Sequence, residues 1–186
     1  MEDESENSSL VSSLSSPFRS QLNLSDSETH DSSSLPDILR VVLENPHVPS
    51  TAFASISAST MADLLSSMPN DIFLKHYILI DCRYPFEYDG GHIRGARNLF
   101  DPVKIEDVFY PRNLNSREPL YLRRPIFYCE FSQKRGPTMA HDLRAFDRMR
   151  NFSRYPLVDY PEMYLLEFGY STFYRTYAEN KPVSSI

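Results

Sequence analysis

The sequence predicts an α/β fold in which helices flank a central, mainly parallel sheet. Two continuous apolar runs carry this reading, HYILIDCRY at 76–84 and RRPIFYCEF at 123–131. Such runs mark strands buried on both faces, as parallel strands are. Helical and turn patterns lie between and after them, and parallel neighbours need crossovers of that kind.

The elements follow in chain order. Residues 1–35 are rich in serine and acidic residues without sustained periodicity, and read as a disordered tail in which Ser16-Pro17 is a candidate phosphate acceptor. Apolar content rises from Pro36, giving a folded domain over 36–180 and a short tail over 181–186. Thr60 followed by Asp63 in TMADLL predicts a helix at about 59–67, since that spacing satisfies exposed backbone N–H groups. The first apolar run is the first buried strand. YDGGHIRGARNL then carries turn glycines and a short edge-like strand, and KIEDVFY is a crossover helix. After the second run, Pro137 marks a helix start, because a missing N–H costs nothing there. Met139, Leu143 and Phe146 form its apolar face, while Arg144 and Arg148 share another. The aromatic residues between Tyr155 and Tyr174 read as packing.

With 41% hydrophobic and 24% charged residues, the composition is that of a soluble globular protein. No apolar run is long enough to span a bilayer, which predicts no membrane partner. The start, MEDESENSSL, is acidic where a secretory leader is basic and then apolar, so an intracellular, reducing location is expected. A formal net charge of −6 argues against wholesale nucleic-acid binding. Two cysteines in such a setting are a reactive pair or unrelated core residues rather than a structural disulfide.

Both cysteines fall at the carboxyl ends of predicted strands, where parallel sheets bind ligands. In FYCEFSQKRGP, Cys129 and Arg135 bracket a five-residue loop that runs into a helix N-terminus. Unpartnered N–H groups and the helix dipole there suit a phosphate dianion and favour a thiolate. Arg135 adds a planar fork for two phosphate oxygens. This chemistry is attack of Cys129 on phosphorus followed by release with water; a sulfur carrier would need a smaller cradle. If the two strands are neighbours, Cys82 can form a reversible, protective disulfide with Cys129. The alternative is two buried thiols that never meet. Asp81, Arg83, Glu87 and His92 read as structural, with Arg83 pairing with Glu87 and His92 bonded to backbone. Glu130 either protonates the leaving oxygen or orients Arg135.

Three segments, IDCRYPFEYDGGHIRGARNL, CEFSQKRGP and YPEMYLLEFGY, together resemble the M-phase inducer phosphatases, dual-specificity phosphatases that activate cyclin-dependent kinases. The resemblance covers about residues 53–174. It implies a rhodanese-like fold and removal of inhibitory phosphate from adjacent threonine and tyrosine of the kinase glycine-rich loop. It further implies a phosphocysteine intermediate, no metal or cofactor, a monomer in nucleus and cytoplasm, and a cyclin-dependent kinase with its cyclin as partner. Cys129 matches the nucleophile, Arg135 the phosphate-binding arginine, and Glu130, Phe131, Ser132, Gln133 and Lys134 the phosphate loop. Cys82 matches the partner cysteine of the protective disulfide, and Arg144, Arg148 and Tyr155 match positions that dock the kinase. The chain departs from the pattern at Tyr128, where the family has histidine, at Lys134 in place of an acidic residue, and at Phe168 in place of a second glycine. A phenol of pKa about 10 lends no cationic help to a thiolate, so the alternative function is a catalytically weak pseudophosphatase that binds kinases or phosphoproteins.

Overall fold

Five short strands pair side by side in the computed structural model of the protein, which describes residues 42–111 and 122–178. The tails expected over 1–35 and 181–186 lie outside the described residues, as do 36–41, 112–121 and 179–180 of the expected domain. The strands are β1 (Ala54–Ile56), β2 (Tyr77–Asp81), β3 (Arg97–Asn98), β4 (Arg124–Tyr128) and β5 (Tyr164–Leu166). Their order across the sheet is β1-β5-β4-β2-β3, and every pairing is parallel. The apolar runs therefore became the two central neighbours β2 and β4, buried almost throughout because helices cover both faces.

Helix α1 (Ala58–Ser67) starts earlier than the Thr60 pattern implies. Ser57 is its cap: extended at φ −78°, ψ 164°, it accepts the Thr60 N–H on Oγ at 3.0 Å, and Thr60 is buried within the first turn. Helices α2 (Asn70–His76), α3 (Pro85–Asp89) and α4 (Ile105–Phe109) follow. The long helix α5 (Arg135–Arg150) begins two residues before the expected start at Pro137, with the Thr138 N–H bonded to the Lys134 carbonyl at 2.9 Å. Pro137 is thus its third residue, still in the first turn where its missing N–H leaves no helical bond unmade. Helix α6 (Gly169–Phe173) closes the fold after β5 and runs into a π-helical turn at Tyr174–Ala178.

Side chains on alternate strand positions divide into two layers. On one face Ile78, Ile80 and Cys82 join Phe127, Cys129 and Leu165 under Met139, Ala140 and Leu143 of α5. On the other, Phe73 of α2 stacks on Tyr77 at 5.1 Å and Tyr128 faces Tyr170 of α6 at 6.4 Å. The end of α5 is fixed by Asp147, which has no exposed surface. Its carboxylate accepts the Asn151 side-chain amide at 2.8 Å and the backbone N–H groups of Asp159 and Tyr160 at 2.8 and 2.9 Å. Those bonds hold the turn that returns the chain to β5.

Candidate active site

Parallel pairing sets the two cysteines side by side. Asp81 of β2 is in register with Tyr128 of β4, and the next residue, Cys82, donates its N–H to the Tyr128 carbonyl at 2.8 Å. Cys82 and Cys129 therefore continue the register at the carboxyl ends of neighbouring strands, which lie about 4.8 Å apart, inside the span a disulfide bridges. Both are buried free thiols. The Cys82 thiol is pushed well up by burial, with Cys129 and Asp81 adding to the rise and Arg135 opposing it.

The loop 130–134 joins Cys129 to α5. Ser132 takes left-handed geometry at φ 50° and folds its Oγ under the loop, where it accepts the Cys129 N–H at 3.4 Å. Gly136 brings the start of α5 against β4: a Cβ there would lie 3.4 Å from the Tyr128 carbonyl carbon and 3.2 Å from Leu165 Cδ1. From behind, Tyr170 and Ser171 of α6 donate their N–H groups to the Cys129 and Glu130 carbonyls at 2.9 and 3.0 Å. That approach needs Gly169, whose φ is +62° and whose Cβ would fall 2.2 Å from the Cys129 oxygen. Phe168 beside it also takes a left-handed geometry, φ 58°, where the family resemblance implies a second glycine.

Arg135, the first residue of α5, is gripped by Glu87 of α3, NH1 to Oε2 at 2.5 Å and NH2 to Oε1 at 3.0 Å. Its guanidinium stands 5.3 Å over the Tyr84 ring. The hydrogen bond from Arg135 holds the Glu87 carboxyl below its ordinary range. This corrects the expected Arg83–Glu87 pair. Arg83 folds back instead onto Asp81, Nε to Oδ1 at 3.0 Å and NH2 to Oδ2 at 2.7 Å, donates to the Gly91 carbonyl, and lies 3.8 Å over the Tyr170 ring. It also reaches Glu130, NH1 to Oε2 at 3.3 Å, so Glu130 is tied to Arg83, and the carboxylate that orients Arg135 is Glu87. His92 bonds the Tyr88 carbonyl through Nδ1 at 3.1 Å, as expected.

Tyr128 points away from the loop. It is the last residue of β4 and Cys129 is the next, so their side chains leave opposite faces of the sheet. The Tyr128 hydroxyl accepts the Ile93 N–H at 3.2 Å, and burial pushes its pKa up. Phe131, Gln133 and Lys134 of the loop are exposed, and the Gln133 amide lies 3.5 Å from the His47 ring. Farther along α5, Arg144 turns inward to the Tyr160 and Ala52 carbonyls at 2.7 and 3.2 Å, while Arg148 and Tyr155 are exposed. All three line a groove of about 530 Å³ that also includes Phe53, Leu157 and Met163.

Known proteins resemble this chain over most of its described residues. The Rhodanese-like domain model matches residues 61–176. The chain belongs to the rhodanese-like domain family. Among its relatives, the M-phase inducer phosphatase cdc-25.1 of Caenorhabditis elegans is 50% identical over 149 residues, which are 77% of this chain and 24% of that protein. The M-phase inducer phosphatase of Drosophila melanogaster is 42% identical over 132 residues, 67% of this chain and 27% of that protein. This rhodanese-like chain thus spans about a quarter of the length of these relatives, and the resemblance to M-phase inducer phosphatases read from the three motifs holds. A solved structure, Ygr203w, described as a yeast protein tyrosine phosphatase of the rhodanese family, is 19% identical with a TM-score of 0.47, covering 68% of this chain and 87% of its own.

Gly169 generates a direct test of how the loop is held. Gly169→Ala combines a left-handed penalty of about 1–2 kcal/mol with overpacking of about 1–3 kcal/mol. Urea denaturation is expected to show a loss of about 3 kcal/mol.

Proposed function

We propose that the protein is a cysteine-dependent dual-specificity protein phosphatase that removes inhibitory phosphate from threonine and tyrosine of a cyclin-dependent kinase. The observation that carries this reading is the arrangement of Cys129 and Arg135 on one loop. The nucleophile closes a central strand, the guanidinium opens the following helix, and the helix N-terminus presents N–H groups without intrahelical acceptors. The Cys129 thiolate attacks phosphorus, the bond from phosphorus to the threonine or tyrosine oxygen breaks, and that oxygen leaves with a proton. Glu130, next to the nucleophile, is the proposed donor of that proton in its protonated form, and its ion pair with Arg83 is the arrangement of the carboxylate left after the transfer. Water then attacks the phosphocysteine, returning free thiol and inorganic phosphate. Phe131 to Lys134 wrap the phosphate, and Arg135 follows its oxygens to the transition state.

Docking of the kinase with its cyclin falls to the exposed Arg148 and Tyr155, on the groove that Arg144 shapes from within. The reading includes a nuclear and cytoplasmic location. Cys82 serves as the resolving partner. Its raised pKa keeps it protonated while Cys129 is the attacking thiolate; a peroxide oxidises the Cys129 thiolate to a sulfenic acid, its second oxygen leaving as water or alcohol, and condensation with the Cys82 thiol releases water and gives the disulfide.

The competing reading, a catalytically weak module that binds kinases or phosphoproteins, rests on Tyr128. The Tyr128 ring lies on the face of the sheet opposite Cys129, bonded to Ile93, which favours the enzyme.

Three outcomes are expected. Wild-type protein under reducing conditions hydrolyses p-nitrophenyl phosphate, and Cys129→Ser lowers the rate more than a thousandfold, about 4 kcal/mol of transition-state stabilisation; an inactive wild type sinks the proposal. Tyr128→His changes kcat by less than about threefold, roughly 0.7 kcal/mol, whereas a rise of an order of magnitude would make the tyrosine an attenuator. After brief peroxide treatment, intact mass shows the Cys82–Cys129 disulfide and dithiothreitol restores activity, while Cys82→Ser gains oxygen at Cys129 and does not recover.

A further inference from the structure

We infer that Glu87 is a positioning residue for phosphoryl transfer, holding the Arg135 guanidinium by one edge so that its remaining donors meet the phosphoryl group. The inference rests on the phosphatase reading and adds a residue to it. A guanidinium carries five N–H donors. Glu87 takes one on NH1 and one on NH2, which leaves the Nε–H and a further N–H on each terminal nitrogen. The contact is therefore compatible with a second, side-on pair of bonds to a phosphate.

Three features make Glu87 a fixed holder. It is the third residue of α3, behind Pro85, and its Oε2 accepts the Tyr84 N–H at 2.9 Å, so the carboxylate is anchored to its own helix start. Tyr84 supplies a flat support for the same guanidinium at 5.3 Å. Helix α3 follows β2 directly, and β2 is the strand paired with β4, so the holder is built on the sheet that carries the nucleophile. A long arginine side chain left unheld would have to be ordered during the reaction, an entropy that pre-organisation removes. Glu87 also places a negative charge beside an anionic substrate, which weakens ground-state binding. The two effects together put the benefit in kcat rather than in KM.

The substitution Glu87→Gln separates this role from helix capping, because a glutamine oxygen still accepts the Tyr84 N–H while the two-bond grip on Arg135 is lost. With p-nitrophenyl phosphate, kcat is expected to fall about tenfold, the factor that ordering one long side chain implies, with KM and the Kd for tungstate changing less. In an Arg135→Lys background the same substitution should alter kcat/KM by less than about twofold, since a lysine offers no fork to hold. Glu87→Asp, which keeps the charge but shortens the reach, should lose less than the glutamine variant and carries the comparison if that variant fails to fold by circular dichroism. An unchanged kcat in Glu87→Gln, tighter tungstate binding with unchanged kcat, or an undiminished loss in the Arg135→Lys background would overturn the inference. A wild type that neither turns over nor binds tungstate removes the phosphatase reading itself, and the role of Glu87 with it.

Discussion

The site depends on a backbone contact made from behind. The Cys129 and Glu130 carbonyls are both drawn toward α6 by the N–H groups of Tyr170 and Ser171. A trans peptide is planar, so turning those carbonyls toward α6 turns the N–H groups of Glu130 and Phe131 the other way. The direction in which the loop presents its donors is thus set some forty residues downstream of the nucleophile, at a position where only a glycine lets two backbones come so close. Phe168 taking left-handed geometry beside Gly169 shows how strongly the surrounding contacts define this turn.

Around that loop the charges are divided in a way that keeps one arginine available. Arg83 is only 3% exposed, and a guanidinium so buried needs near-complete satisfaction. Asp81, the Gly91 carbonyl, Glu130 and the Tyr170 ring provide it. Arg135 is one-third exposed and shares its grip with Glu87, so it keeps donors facing solvent and substrate. The buried pair builds the platform from which Glu130 projects, and the more exposed pair sets the orientation of the group that meets phosphate.

The tyrosine at position 128 fits the same division of faces. Strand alternation sends Cys129 into the layer under α5 and Tyr128 into the layer with α6 and the segment around Ile93. There its hydroxyl ties β4 to the chain after α3, a supporting role that a phenol performs as a neutral group. Its ring lies on the face of the sheet opposite the thiol, so the identity of this residue bears first on how β4 is held.

The sequence by itself determined the parallel α/β fold, the two central strands, the edge strand, and the placement of Cys82 and Cys129 at strand ends with Arg135 in the loop that runs into a helix N-terminus. Those features rest on short-range patterns: continuous burial along a strand, turn glycines, and a proline in a first helical turn. Tertiary structure alone decided who holds whom. The Arg83 side chain reaches Asp81 and Glu130 where an Arg83–Glu87 pair was expected, Glu87 reaches Arg135 across 48 residues, and Arg144 turns inward to three backbone carbonyls. Nothing in local spacing announces such partners, because a long flexible side chain can take any neighbour within reach, and which neighbours are within reach is fixed only once the sheet and its helices have packed.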